Sequence, residues 1–291
     1  MKIFSYFIQA LIIYFFFIII RLLGLQISRR LFSKIFILFG PLVKSNKIIN
    51  KNLNIVYGEI TNEEKQNIKN MMWSNYGKVF VEYMFLKKFR ENLLPKNHIK
   101  LKGLENLEKI INQKQRAIFV SGHFANFELM SMELTKHGVN LAAIYRPLNN
   151  FFINPLMENL RKKYICNNQI KKGLTGVRDA IFFLKNNTTI ALMLDQRLGE
   201  GEKINFFGHS ALTTTLPARL ALKFKCPIIP IFISRENDNN FIMEIMTPLN
   251  LNDYDNENFK INTTTELNNL LERMVLKSKG QWIWTHDRWK T

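Results

Sequence analysis

His123 and Glu128 lie five residues apart in Ser121-Gly122-His123-Phe124-Ala125-Asn126-Phe127-Glu128, a base with a carboxylate nearby in sequence. The chemistry such a pair serves is removal of a proton from a hydroxyl. A carboxylate bonded to one ring nitrogen fixes the tautomer and leaves the other nitrogen to act as general base. Continuous helix would put the two side chains roughly 140° apart around the axis. His123 is therefore expected in a loop, folding back toward Glu128 in the first turn of a helix, where the helix dipole favours a carboxylate. The competing reading is a surface or capping histidine beside an ordinary first-turn glutamate.

The flanking sequence supplies the elements that must position this pair. Residues 117–120 form a short apolar run suited to a buried strand, and Gly122 permits a tight turn. Asn126 is a candidate cap for a helix over 127–137, which Gly138 stops. Further strands are expected over 141–145, 189–194, 227–233 and 241–246, separated by helices around Phe127, Phe152, Val177, Pro217 and Leu267. This alternation predicts an α/β fold with a largely parallel mixed sheet flanked by helices, and functional residues at the strand ends. Thr61 or Asn62, followed by Glu63 and Glu64, starts a long helix reaching about Phe85. Its Trp73, Tyr76, Val79, Phe80 and Tyr83 make an apolar face, read as core rather than as a ligand box.

Several polar residues fall where such a sheet exposes them. Arg146 follows the 141–145 strand, with Asn149 close behind, and Asp195-Gln196-Arg197 follows the next expected strand, 189–194. A run of Thr213, Thr214 and Thr215 precedes Pro217 at a helix start whose free amides can hold an anion. Each has a structural alternative: Arg146 as partner of a structural carboxylate, Asp195 as a turn cap, the threonines as a helix cap.

Composition narrows the function. The 291 residues are 47% hydrophobic, enough for a sizeable core, and the net charge is +18. Eight Lys or Arg and no acid precede Glu59, an asymmetry that favours an anionic partner. Part of this basicity belongs to a general Asn, Ile, Lys and Phe bias. No zinc-finger spacing, aromatic RNA-binding motif or compact basic recognition helix points to nucleic acid. Cys166 and Cys226 are too few and too distant for a disulfide framework, and no metal-ligand spacing appears, so neither metal nor cofactor is expected. The absence of a GxSxG elbow disfavours a serine hydrolase, and the absence of a GxxxxGK[ST] loop removes the common nucleotide-driven mechanisms.

Residues 3–20 are nearly all apolar, broken by Ser5 and Gln9, a length just sufficient to cross a bilayer core. Lys2 stands before this run, whereas Arg21, Arg29, Arg30, Lys34, Lys44 and Lys47 follow it, placing the remainder in the cytoplasm by the positive-inside rule. The run is longer than a usual signal core and lacks a small-residue cleavage site, which favours an uncleaved anchor. A second apolar stretch, 31–43, is too short to span and reads as an interfacial segment, or alternatively as a buried helix. The organisation expected is a transmembrane and interfacial anchor over 1–45 and a catalytic domain over 46–291.

The ordered set formed by 122–128, Tyr145-Arg146-Pro147, Asp195-Gln196-Arg197, Phe207-Gly208 with the following threonines, and 281–290 resembles the late acyltransferases of lipid A biosynthesis over nearly the whole chain. The HxxxxE element is related to the HxxxxD of glycerolipid acyltransferases. Family members often carry Gly and Trp where this chain has Ala125 and Phe127. The resemblance implies transfer of a fatty acyl chain from acyl carrier protein to a hydroxyl of a lipid A precursor at the cell inner membrane. His123 would be the base and Glu128 its imidazolium-stabilising partner. Arg146 would serve an oxyanion or an acceptor phosphate, and Asn149, Asp195, Arg197 and Thr214 would contribute to substrate binding. Other readings are another glycolipid or glycerolipid as acceptor, or a non-catalytic membrane scaffold of the same fold. The Trp-rich end is expected to pack beneath the site rather than lie at the membrane interface.

Overall fold

Three apolar runs, 118–121, 189–193 and 228–235, line up side by side because both faces of each are covered, the mark of central strands in a parallel sheet. The structure is a computed structural model describing residues 2–44, 46–94, 98–237, 240–251 and 257–290, the side chain of Leu174 excepted. It begins with four helices, α1 (Lys2–Leu23), α2 (Leu25–Val43), α3 (Asn46–Tyr57) and α4 (Asn62–Glu82). A 3-10 turn, Tyr83–Phe85, leads into α5 (Leu86–Arg90). The α/β portion runs β1 (Ile99–Lys102), α6 (Leu104–Asn112), β2 (Ile118–Ser121), α7 (Glu128–Lys136), β3 (Leu141–Tyr145), α8 (Asn154–Tyr164), β4 (Asn168–Lys171), α9 (Leu174–Lys185) and β5 (Thr189–Met193). A hairpin, β6 (Glu202–Phe206) and β7 (His209–Thr213), precedes α10 (Leu216–Phe224), β8 (Ile228–Arg235), β9 (Phe241–Ile245) and α11 (Phe259–Lys277).

The sheet order is β1-β9-β8-β2-β5-β3-β4, with every junction parallel except β8 to β9. Five strands thus point their carboxyl ends to one edge. From β2 the chain crosses to β3 on one side, and from β5 it returns across β2 to β8 on the other. The crevice between β2 and β5 is therefore the topological switch point, where open α/β sheets hold their ligands.

The five expected strands form, within two residues at either end. The four others, β1, β4, β6 and β7, are short and rich in polar residues, so no apolar run marks them. The hairpin turns on Phe207 and Gly208, both with positive φ (54° and 73°), as a two-residue primed turn requires. The cap of α4 forms as expected, with Thr61 and Glu64 in a reciprocal capping box.

The expected 31–43 segment is the greater part of α2, with Pro41 in its last turn, where it removes the N–H that would bond to the Ile37 carbonyl just before the helix ends at Val43. One face of α2 lies against α4, so closely that a Cβ on Gly77 would meet the Phe32 carbonyl at 2.3 Å. The other face exposes Leu38, Phe39, Leu42 and Val43. Phe17, Ile20, Leu25 and Phe32 from α1 and α2 join the same apolar core as the sheet.

Candidate active site

The register of β2 on β5 pairs Ile118 with Ile190 and Ser121 with Met193. Two residues further along each strand come His123 and Asp195, and they meet. His123 Nδ1 lies 2.7 Å from Asp195 Oδ1, and the His123 backbone N–H donates to Oδ2 at 2.7 Å. Trp282 Nε1–H donates to the same Oδ2 at 2.9 Å. Burial alone would push the fully enclosed Asp195 carboxyl up, but His123 and these hydrogen bonds hold it below the usual carboxylate range. An ionised Asp195 accepts from Nδ1–H and leaves Nε2 to meet substrate.

The loop carrying His123 is fixed at successive backbone atoms. Gly122 leaves no room for a side chain, since a Cβ there would stand 2.6 Å from the Phe124 ring and 3.1 Å from Asp195 Oδ2, wedging the pair apart. Ala125 takes a left-handed φ of 46°, its N–H donating to the Gln281 carbonyl at 3.0 Å and its carbonyl accepting from Asn75 Nδ2 at 3.2 Å. Asn126 does not cap α7 as expected; its Nδ2 donates to Glu82 Oε2 at 2.9 Å inside the core. Glu82 is also paired with Arg29 of α2 and Arg235 of β8, each at 2.7 Å. Burial raises the Glu82 carboxyl, and the two guanidiniums outweigh it and bring it below its ordinary value. This buried charge cluster joins α2, α4, β8 and the His123 loop.

Glu128 departs from expectation. It opens α7, but its carboxylate belongs to an Arg161 fork, with Nε at 2.9 Å and Nη2 at 2.7 Å from Oε1, and it also accepts from the Tyr83 hydroxyl. The ring nitrogen assigned to Glu128 from the sequence is taken by Asp195. The substitution has a simple cause. Strand register sets His123 directly opposite Asp195, whereas α7 turns the Glu128 side chain toward α8.

In front of His123 lies a cavity of about 330 Å³, apolar over most of its wall. Tyr76, Val79 and Phe80 of α4, with Tyr83, form one side, Ile153 and Met157 another, and Ile13 and Phe17 of α1 a third. The α4 aromatics read as core are thus mostly cavity wall, Trp73 alone being fully packed. The tyrosine hydroxyls are engaged away from the cavity, Tyr76 with Thr285 and Tyr83 with Glu128, so ring surface faces the space. Phe127 packs edge-on against the His123 ring at 4.6 Å.

The remaining expected site residues divide. Arg146 and Asn149 are exposed just past β3, one strand beyond Asp195, and the β3–β4 register sets Lys172 beside Arg146. Arg197 is engaged structurally: its Nε donates to the Lys290 carbonyl at 2.7 Å and its N–H to His286 Nε2 at 2.8 Å. Burial holds His286 below the usual histidine range, in keeping with a neutral acceptor ring. Thr214 Oγ1 accepts the Leu216 N–H at 3.3 Å, a local turn at the start of α10. Arg161 and Trp282 were not foreseen as site residues. Trp282 stood inside a recognised motif, but its indole N–H pointing at Asp195 carries no sequence signal. The C-terminal segment packs as expected, with Trp282 and Trp284 fully buried and Trp289 donating to the Phe206 carbonyl at 3.0 Å.

Comparison with known proteins identifies the family. The family model for bacterial lipid A biosynthesis acyltransferases matches residues 1–291. A lipid A biosynthesis acyltransferase of Haemophilus influenzae is 23% identical over 84% of this chain and 77% of its own length. The lipid A biosynthesis lauroyltransferase of Escherichia coli is 22% identical over 84% of this chain and 79% of its own, and the palmitoleoyltransferase of that species 23% over 86% and 80%. Among solved structures, a 1-acyl-sn-glycerophosphate acyltransferase from Thermotoga maritima aligns over 87% of this chain and 96% of its own at 17% identity, with a TM-score of 0.40. The chain is an acyltransferase and belongs to the bacterial lipid A biosynthesis acyltransferase family.

Proposed function

We propose that the protein transfers a fatty acyl chain from acyl carrier protein to a hydroxyl of a lipid A precursor, with His123 as general base and Asp195 as the carboxylate that orients it. The observation that carries this reading is the His123–Asp195 pair at the edge of an apolar cavity, in a member of this family. His123 Nε2 takes the proton from the acceptor hydroxyl as its oxygen attacks the thioester carbon. The new C–O bond forms, the C–S bond breaks, and the departing thiolate recovers the proton from the imidazolium. Asp195 stabilises that imidazolium, and positioned base catalysis of this kind is worth about 10²- to 10⁴-fold. Thiolate is a good leaving group, so neither buried cysteine need form a covalent intermediate.

Glu128 has a positioning role in this scheme, locking α7 to α8 through Arg161. Arg146, with Lys172 beside it, suits an acceptor phosphate, because two cations at adjacent strand ends offer a forked and a point charge together. The donor's hydrocarbon lies in the cavity. The apolar α1, one face exposed and the other lying on Phe80, Phe151 and Phe152, holds the catalytic body against the inner membrane, and the following cations keep that body on the cytoplasmic side. Anionic lipid, acidic carrier protein and phosphorylated acceptor all favour the basic surface.

The test is incubation of membranes with labelled acyl carrier protein and a tetra-acylated lipid A precursor, comparing wild type with His123→Ala. Transfer should fall at least about 10²-fold. Equal transfer by both proteins would remove His123 from the mechanism, and unchanged lipid A masses in cells lacking the protein would point to another acceptor.

A further inference from the structure

We infer that α1 is a wall of the catalytic cavity as well as an anchor, and that Ile13 and Phe17 on it select the length of the donor's acyl chain. This rests on the acyl-transfer reading above. The circumference of α1 is divided: Ala10, Phe17 and Ile20 are buried against the protein, whereas Phe4, Leu11, Phe15 and Leu22 are more than half exposed. A helix serving only as a tether needs no fixed rotation, yet this one is held in register by polar bonds. Tyr14 OH donates to the Phe152 carbonyl at 2.8 Å, and Asn150 Nδ2 donates to the Tyr6 carbonyl at 2.8 Å. Phe17 also packs on Phe80 at 5.1 Å between ring centroids. These contacts turn Ile13 and Phe17 into the same cavity that His123 borders.

The occupant follows from size and connectivity. At roughly 30 Å³ per methylene, comparable to the volume share of one water molecule in the liquid, the cavity of about 330 Å³ holds one chain of on the order of ten methylenes. The donor's chain is bonded to the carbon under attack, so its first methylenes must lie beside His123, and the continuous apolar wall leads from there to α1. Changing the volume at Ile13 or Phe17 therefore changes how many methylenes are sheltered, about fourfold in preference for each one, the ratio equivalent to about 0.8 kcal/mol.

The experiment offers full-length protein in membranes a mixture of saturated acyl carrier protein thioesters in two-carbon steps, and reads the ratio of products by mass. Ile13→Trp should shift the product ratio to shorter chains by tenfold or more for a two-carbon step. Ile13→Ala and Phe17→Ala should shift it to longer chains, and they carry the test should the tryptophan variant fail to accumulate. Leu11→Trp, on the exposed face of the same helix, should leave the ratio unchanged. Profiles of the cavity-facing variants that superimpose on wild type would overturn the inference, as would a change confined to the acceptor's KM. His123→Ala run in parallel separates the two failures: full transfer by that variant sinks the base assignment, whereas loss of transfer with unaltered chain selection by the α1 variants sinks only the role of α1.

Discussion

Two carboxylates flank this site, one at the end of β5 and one at the start of α7, and they do different work. Asp195, 72 residues from His123, is fully buried and accepts from the imidazole, the His123 amide and the Trp282 indole. Glu128, five residues from His123, is tied to a guanidinium and a phenol. Proximity in sequence suggested the second as the base's partner. Adjacent parallel strands in fixed register supply the first, because residues equally far past paired positions must face each other at the sheet edge. Here the strand order pairs His123 with a carboxylate at the neighbouring strand end rather than with the one on its own following helix.

The sharpest way to break that contrast is Asp195→Asn. The amide cannot hold the required tautomer or stabilise the imidazolium, so kcat should fall about 10²- to 10⁴-fold with little change in KM, measured with acyl carrier protein donor in membranes. Glu128→Gln should cost less in kcat and more in stability, because it leaves Arg161 mostly buried without its counter-charge. A loss of about 2–4 kcal/mol is expected, and Glu128→Gln combined with Arg161→Met should recover part of it in a thermal melt. If Glu128→Gln proves the deeper catalytic lesion, the two roles are reversed.

Asp195 and Glu82 are both held below the ordinary carboxylate range when folded. Each therefore contributes stability that is full above the unfolded value, near pH 4, and is lost as the pH falls through the folded one. Replacing Glu82 with Gln should lower the melting temperature at neutral pH and flatten its decline in acid; a decline as steep as wild type would show that the cluster does not titrate in that window. Trp282→Phe keeps an aromatic side chain but loses the five-membered ring and with it one hydrogen bond to a charged group, about 1.5–3 kcal/mol. It should appear as a moderate loss in kcat. At the small end, Lys51→Ala breaks a solvent-exposed pair with Asp287 and should change stability by about 0.5 kcal/mol or less in denaturant titrations.

The sequence exposed the central strands because continuous apolar runs mark burial on both faces. It hid β1, β4 and the hairpin, whose short polar strands owe their form to neighbours supplied by the fold. Among site residues, His123 and Asp195 were visible as polar groups at strand ends, but their pairing required the strand order, which places β5 beside β2 although two other strands intervene in the chain. Arg161 sits among Lys162 and Lys163 on a basic helix, and nothing local distinguishes it. The aromatic stripe of α4 has the spacing of a core face. The folded arrangement, which sets Ile13 and Phe17 of α1 and Ile153 and Met157 around that stripe, makes it the wall of a cavity beside His123.

The indole of Trp282 completes the hydrogen bonding of Asp195, and the carbonyl of Gln281 fixes the bend at Ala125. During synthesis the apolar leading helix emerges long before either residue, and His123 and Asp195 are both made before the two contacts that fix their surroundings exist. Termination anywhere ahead of Gln281 would accordingly leave the bend at Ala125 and the Asp195 carboxylate each short of a hydrogen-bond partner that the C-terminal segment supplies.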